Sequence, residues 1–173
     1  GLFYLGLVLT GVFSFLIVRP RLLDPDSPEA TLTNLVNHET LARLGIGLEM
    51  GVVVTQALTA VWFYKLFRSV DTFAAGTLAT FGMVNAVVIL GSAAFLATAL
   101  EVALDPVGDA AGNTQLMYLV SGNLWGMGSL FFGLWLIPMG WLVLRSGWIP
   151  RPLGWVLVAA GVGYVASAFV DYL

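Results

Sequence analysis

The chain has no cysteine, a single histidine, and charged residues at only 10% of its 173 positions. Each scarcity removes chemistry. Without thiols there is no disulfide, no thiolate metal site and no cysteine nucleophile. With His38 alone, the "HET" of residues 38–40 opens like a zinc-protease helix but lacks the second imidazole, so no metal site is expected. Intramembrane haem ligation has no candidate either, and no cofactor is implied. A Ser-His-Asp triad would have only this histidine as its base, at the edge of an apolar run, which leaves hydrolysis without support. Seven Lys and Arg stand against ten Asp and Glu, a net charge of −3 without any basic block. Nucleic acid is therefore not an expected partner.

Apolar residues are what the chain has. They make up 59% of it, and the mean hydropathy is +0.93, whereas an ordinary soluble domain is about one quarter charged. An 18.5 kDa globule cannot enclose that many apolar side chains, so lipid must cover the remainder. Runs of at least ~18 apolar residues, long enough for a ~30 Å hydrocarbon core, occur at residues 1–18, 41–67, 73–104, 116–144 and 153–173. The first lacks a basic leader and is read as a retained helix. Arg19-Pro20-Arg21 should end it with charge and a helix breaker. The expected fold is an all-α, polytopic transmembrane bundle of five spans, one domain over residues 1–173. A chain that opens inside a helix and stops at "VDYL" is expected to continue at both ends.

The connections set the threading. Lys65 and Arg68 follow the second span, and Arg145 and Arg151 flank the turn after the fourth. The loop after the third, "LDPVGDAAGN", has Asp105 and Asp109 and no base. This alternation follows the positive-inside pattern and puts the two basic turns and the N-terminus in the cytoplasm. Arg19, Arg21 and Arg43 in the first loop oppose it, in the company of Asp24, Asp26, Glu29 and Glu39. Within that loop Ser27 or Asp26 can cap a helix with Pro28 in its first position and Glu29 in its first turn. Leu32, Leu35 and Val36 would form its apolar face. A short amphipathic helix on the outer membrane surface is expected there.

The turn "RSGWIPRP" combines a cation at a helix C-terminus (Arg145), a left-handed cap (Gly147), an interfacial aromatic (Trp148) and prolines that open the next helix. Its arginines are read as topology anchors. Gly126, Gly133 and Gly140 recur every seven residues in the fourth span, and Gly154, Gly161 and Ala168 do so in the fifth. Small residues allow close van der Waals approach between helices in lipid, so these stripes should be packing surfaces. Pro138 should kink the fourth span.

Polar groups at membrane depth are the candidate site. Glu49 lies inside the second span, where an acid is costly. At 100° per residue, His38, Glu49 and Gln56 fall within about 20° of one stripe. Counting ~1.5 Å per residue, Asn123 in the fourth span comes to the depth of Glu49, and Asn85 in the third to that of Gln56. Glu49, Gln56, Asn85 and Asn123 could thus meet inside the bundle. Two readings stay open: interhelical glue with Glu49 protonated or bonded to an amide, or a ligand or proton site entered past His38, Glu39 and Arg43.

The sequence "TLTNLVNHETLARLGIG", followed later by "GSLFFGLWLIPMGWLVLRSGWIPRPLGWVLVAAGVGYVASAF", resembles the bacterial integral-membrane family called domain of unknown function 4386. Thr31, Asn34, Glu39, Arg43 and Gly45 carry the first block. Phe132, Gly133, Gly140, Arg145, Ser146, Gly147, Pro150, Arg151, Gly154, Gly161 and Tyr164 carry the second. The resemblance spans most of the chain and implies a bacterial cytoplasmic membrane location and a sixth helix beyond residue 173. It implies no activity or catalytic residue. The expected function is an accessory or structural subunit whose partners are membrane lipids and other membrane proteins; the alternative is a small transporter, or a lipid- or small-molecule-binding protein, built on the Glu49 cluster.

The absence of cysteine makes the threading measurable. A cysteine at Ser69 or Ser146 should resist a membrane-impermeant thiol reagent in intact cells, and one at Gly108 should react. Labelling of Ser146→Cys with protection at Gly108→Cys would invert the orientation.

Overall fold

In the computed structural model the described residues are 2–106, 108–170 and 173, and they form helices and turns without a strand among them. The helices are α1 (Leu2–Leu22), α2 (Pro28–Asn37), α3 (Glu39–Phe67), α4 (Thr72–Leu104), α5 (Ala110–Ser146) and α6 (Arg151–Val170). All but α2 are long and apolar enough to cross a membrane, which gives the five expected spans. Gly1 of the first predicted span, Val107 of the acidic loop, and Asp171 and Tyr172 of the fifth span lie outside the described residues.

One boundary differs from the sequence reading. Arg19-Pro20-Arg21 does not end the first helix; α1 continues through Leu22 and stops where Leu23 turns extended, at ψ 123°. Proline lacks an N–H and its ring crowds the carbonyl four residues back. The preceding turn, Ser14–Val18, is a π-helix, which widens the ladder just before Pro20 and lets the chain absorb it. Arg19 is thereby held inside a span.

The amphipathic helix forms as its caps dictate. Ser27 is extended and its hydroxyl accepts a 3.1 Å bond from the Ala30 N–H, with Pro28 next in line. Thr31 and Leu35 are its buried residues, while Val36 of the expected apolar face is exposed. Thr31 ties its helix to the preceding turn: its hydroxyl accepts from the Asp24 N–H and donates to the Asp24 carbonyl, both at 3.0 Å. The Asn34 amide reaches the Leu22 carbonyl at 3.4 Å. Gln115 of α5 donates to the carbonyls of Asp24 and Pro25 at 3.2 Å each. The 23–27 turn is tied down from both sides.

At the other turns, Asp71 caps α4 by accepting from the Ala74 N–H at 3.0 Å. That bond first, then those from Trp141 and Arg145, holds its carboxyl below the usual carboxylate range. Gly147 takes φ +69° after α5, the left-handed cap that the sequence called for. Helix α5 is unbroken through Pro138. Gly108 has φ +62°, where a side chain is strained, so exposed Asp105 is the better labelling position in that loop.

The chain divides into two compact units, residues Gly1–Thr55 with Val88–Trp125, and Gln56–Val87 with Gly126–Leu173. In the first, Leu22, Leu35, Ala99 and Tyr118 belong to one buried cluster. In the second, Trp135 is fully buried between Phe63 and Phe132, and Phe67 stacks on Trp148 with ring centres 6.0 Å apart. The glycine stripes of α5 and α6 face each other there. A methyl on Gly133 would sit 2.7 Å from the Gly161 carbonyl oxygen, and one on Gly140 2.6 Å from that of Gly154. Backbone meets backbone at both points, and no rotamer can relieve the contact. Gly154 and Gly161 are the buried residues of α6.

Substitution should separate these glycines from the rest. Gly133→Leu or Gly161→Leu should lower the melting temperature in detergent by the equivalent of at least ~1–3 kcal/mol, well beyond the effect of the volume-conserving Leu136→Ile. Gly163→Ala, where a new methyl meets nothing within 4 Å, should leave it unchanged or slightly raised. Equal melting of all four variants would show that the helices do not meet at the glycines.

Candidate functional site

A carboxylate at membrane depth needs partners, and the first unit supplies them from three other helices. Glu49, on α3, is completely buried. Its Oε2 accepts from the Ser92 hydroxyl of α4 at 3.0 Å, and its Oε1 accepts from the Trp125 indole N–H of α5 at 3.3 Å. Arg19, from the end of α1, places Nη2 3.6 Å from the same Oε1. That nitrogen also donates to the Ser121 hydroxyl, which lies 2.7 Å from the Ser92 hydroxyl. Arginine, glutamate and two serines thus form a closed ring.

Local sequence makes the ring fit. The π turn ends at Val18, directly before Arg19, and sets the angle at which the guanidinium leaves α1. A methyl on Gly45 would come 2.8 Å from Val18 Cγ1, so a glycine there permits α1 and α3 to approach. Ser92 and Ser121 are small enough to be fully buried beside the charges while each offers a donor and an acceptor. Buried Tyr118 helps line a cavity of about 10 Å³ next to Arg19, Ser14 and Val18, room for about one water molecule.

The other sequence-selected residues are placed differently. Asn123 is exposed and does not join Glu49. Ser121 and Trp125, four residues apart, share the inward face of α5, and Asn123 lies roughly 200° around the helix from Ser121. Its azimuth keeps it from the ring. Gln56 and Asn85 are buried in the second unit, and neither amide atom of Gln56 finds a hydrogen-bond partner among the described residues. His38 ends α2, its backbone N–H on the Asn34 carbonyl at 2.9 Å and its Nδ1 3.1 Å from the same oxygen. Arg43 is exposed and pairs with Glu39 one turn away at 2.7 Å. Lys65, Arg68, Arg145 and Arg151 are exposed at helix ends, with Lys65 over the Trp62 ring and Arg145 over the Trp141 ring. Gly126 is half-buried in α5.

Sequence reasoning missed Arg19, Ser92, Ser121 and Trp125. Assigning Arg19 to a loop hid it. The available signal was electrostatic: Glu49 sits deep in a span, and Arg19 adjoins the end of another.

The pair makes a thermodynamic prediction. Glu49→Gln or Arg19→Gln alone should cost about 3–5 kcal/mol, because each leaves the opposite charge buried and unbalanced. Arg19→Met with Glu49→Leu should cost clearly less than the sum of Arg19→Met alone and Glu49→Leu alone in a thermal double-mutant cycle. Strictly additive losses would mean that the two charges do not interact.

Comparison with known proteins accords with this architecture. The family model described as Domain of unknown function (DUF4386) matches residues 1–173, the whole chain. No curated protein and no solved structure matches it. A multi-span helical membrane protein that fits one family model from end to end, the chain belongs to the DUF4386 family.

Proposed function

We propose that this integral membrane protein is a structural, accessory component of a larger membrane assembly. The observation that carries this reading is that the polar centre is engaged from within and leaves almost no free space. Both oxygens of Glu49 meet groups from the protein's own helices. The cavity beside Arg19 is only about 10 Å³, whereas small-molecule sites measure ~300–1,000 Å³. A carrier needs a space for its cargo beside the acid; this centre reads as a device for folding. Helix α6 supports the same role, because Trp155, Val156, Val162 and Phe169 are exposed along it. The proposed setting is a bacterial cytoplasmic membrane with the N-terminus and the basic turns at Lys65, Arg68, Arg145 and Arg151 inside.

A second reading, binding of a small molecule, is favoured by Gln56, a buried amide with neither atom bonded among the described residues. Such a group has hydrogen bonds to offer.

Native mass spectrometry after extraction in a mild detergent separates the two. Accessory function predicts a protein partner at fixed stoichiometry whose cross-links map to the exposed side of α6. A stoichiometric small molecule that disappears in Gln56→Leu would support the second reading, and a bare protein with no partner at any detergent concentration would sink the first.

A further inference from the structure

Helices α4, α5 and α6 of the second unit enclose an open apolar groove of about 460 Å³, whose lining includes Phe73, Thr77, Phe81, Pro138, Trp141 and Trp155. We propose that this groove seats one acyl chain of a bilayer phospholipid with an ethanolamine-type headgroup, and that Asp71 and Arg145 hold the headgroup at its mouth.

Length supports this first. One wall of the groove runs from Asp71 to Phe81 and the other from Leu134 to Leu144. Ten residues of helix rise about 15 Å, half of a ~30 Å hydrocarbon core, so the groove is as long as one leaflet is deep. A volume of about 460 Å³ spread over that length is a long apolar trough that an extended acyl chain can follow from the interface toward the bilayer centre. The wall is also dry, since the Thr77 hydroxyl turns onto the Phe73 carbonyl of its own helix at 2.9 Å.

Charge at the mouth selects the headgroup. Asp71 lies in the turn before α4 and Arg145 in the last turn of α5, where helices leave the hydrocarbon region. The Arg145 Nη1 donates to Asp71 Oδ2 at 3.0 Å, and the guanidinium lies 5.0 Å from the centre of the Trp141 ring, which also lines the groove. These contacts hold the cation over the opening. Its side chain is 54% exposed and has five N–H donors, enough to receive a phosphate while keeping Asp71. The Asp71 carboxylate, 23% exposed, accepts from Ala74, Trp141 and Arg145 and keeps one of about four acceptor sites for an ammonium. Two opposite charges side by side complement a phosphate followed by an ammonium. A phosphatidylglycerol headgroup would bring the carboxylate hydroxyl donors but no positive charge to balance it.

The test places the intact protein in nanodiscs of mixed phosphatidylethanolamine and phosphatidylglycerol, with a photoreactive diazirine on the acyl chain of one lipid at a time. The ethanolamine probe should label residues 73–81 and 134–144 at least about fivefold more than the lipid-exposed face of α1, as a site rather than an annulus would. Unlabelled phosphatidylethanolamine should compete with it, phosphatidylglycerol should compete poorly, and Thr77→Trp should abolish groove labelling while the protein melts normally. Even labelling of all spans would overturn the seat. Equal competition by the two lipids, a result that needs no variant, would overturn the headgroup assignment, and cross-links to a second copy through the groove would give it to self-association instead.

Discussion

The first unit is organised by the cost of a carboxylate away from water. An ionised Glu49 without compensation would be untenable at 0% exposure, and the protein answers with a guanidinium, an indole and a hydroxyl. Each answer comes from a different helix, so meeting the electrostatic demand also fixes how α1, α3, α4 and α5 stand in that unit. The pair is specific rather than merely stabilising. A hydrophobic replacement could pack as well, yet it would not dictate which face of α1 turns inward. The π turn and Gly45 follow from the same requirement, since Arg19 reaches Glu49 only if α1 bends at the right place and comes close.

The second unit is built on a different force. Its charges are at helix ends, and its interior joins aromatic and aliphatic side chains and bare backbone with the buried amides of Gln56 and Asn85. Lipid tails are as apolar as leucine, so hydrophobicity does little to join helices within a bilayer. What remains is contact quality, and glycine maximises it: at Gly133 and Gly161, and again at Gly140 and Gly154, the two backbones touch. Roughly 200° around α5 from Gly133, Trp135 sets its indole against Gly82 of α4. Small residues and one large one are therefore complementary parts of a single packing solution.

Different features of the sequence carry different amounts of this. Spans, turns and the α2 cap were readable because they depend on local chemistry: length of an apolar run, a serine before a proline, a glycine after an arginine. The seven-residue spacing of glycines was readable for the same reason, as a property of one helix. Asn123 shows the limit. Rise per residue set its expected depth, but which way it points depends on the rotation of α5 about its own axis. Arg19 shows a second limit, since whether Pro20 ends a helix or is absorbed depends on a change of helix type one turn earlier.

By itself, the sequence determined that the described residues are helical, with five helices long and apolar enough to span a membrane and one short capped helix between the first two, because hydropathy and backbone preference act over neighbouring residues. It also determined that thiol and multi-histidine metal chemistry are absent, because the side chains are. Only the tertiary structure decided that Glu49 is answered by Arg19, Ser92 and Trp125. Those partners lie 30 to 76 positions away along the chain, and helix rotation, which no single segment encodes, selects them from many polar groups at similar depth.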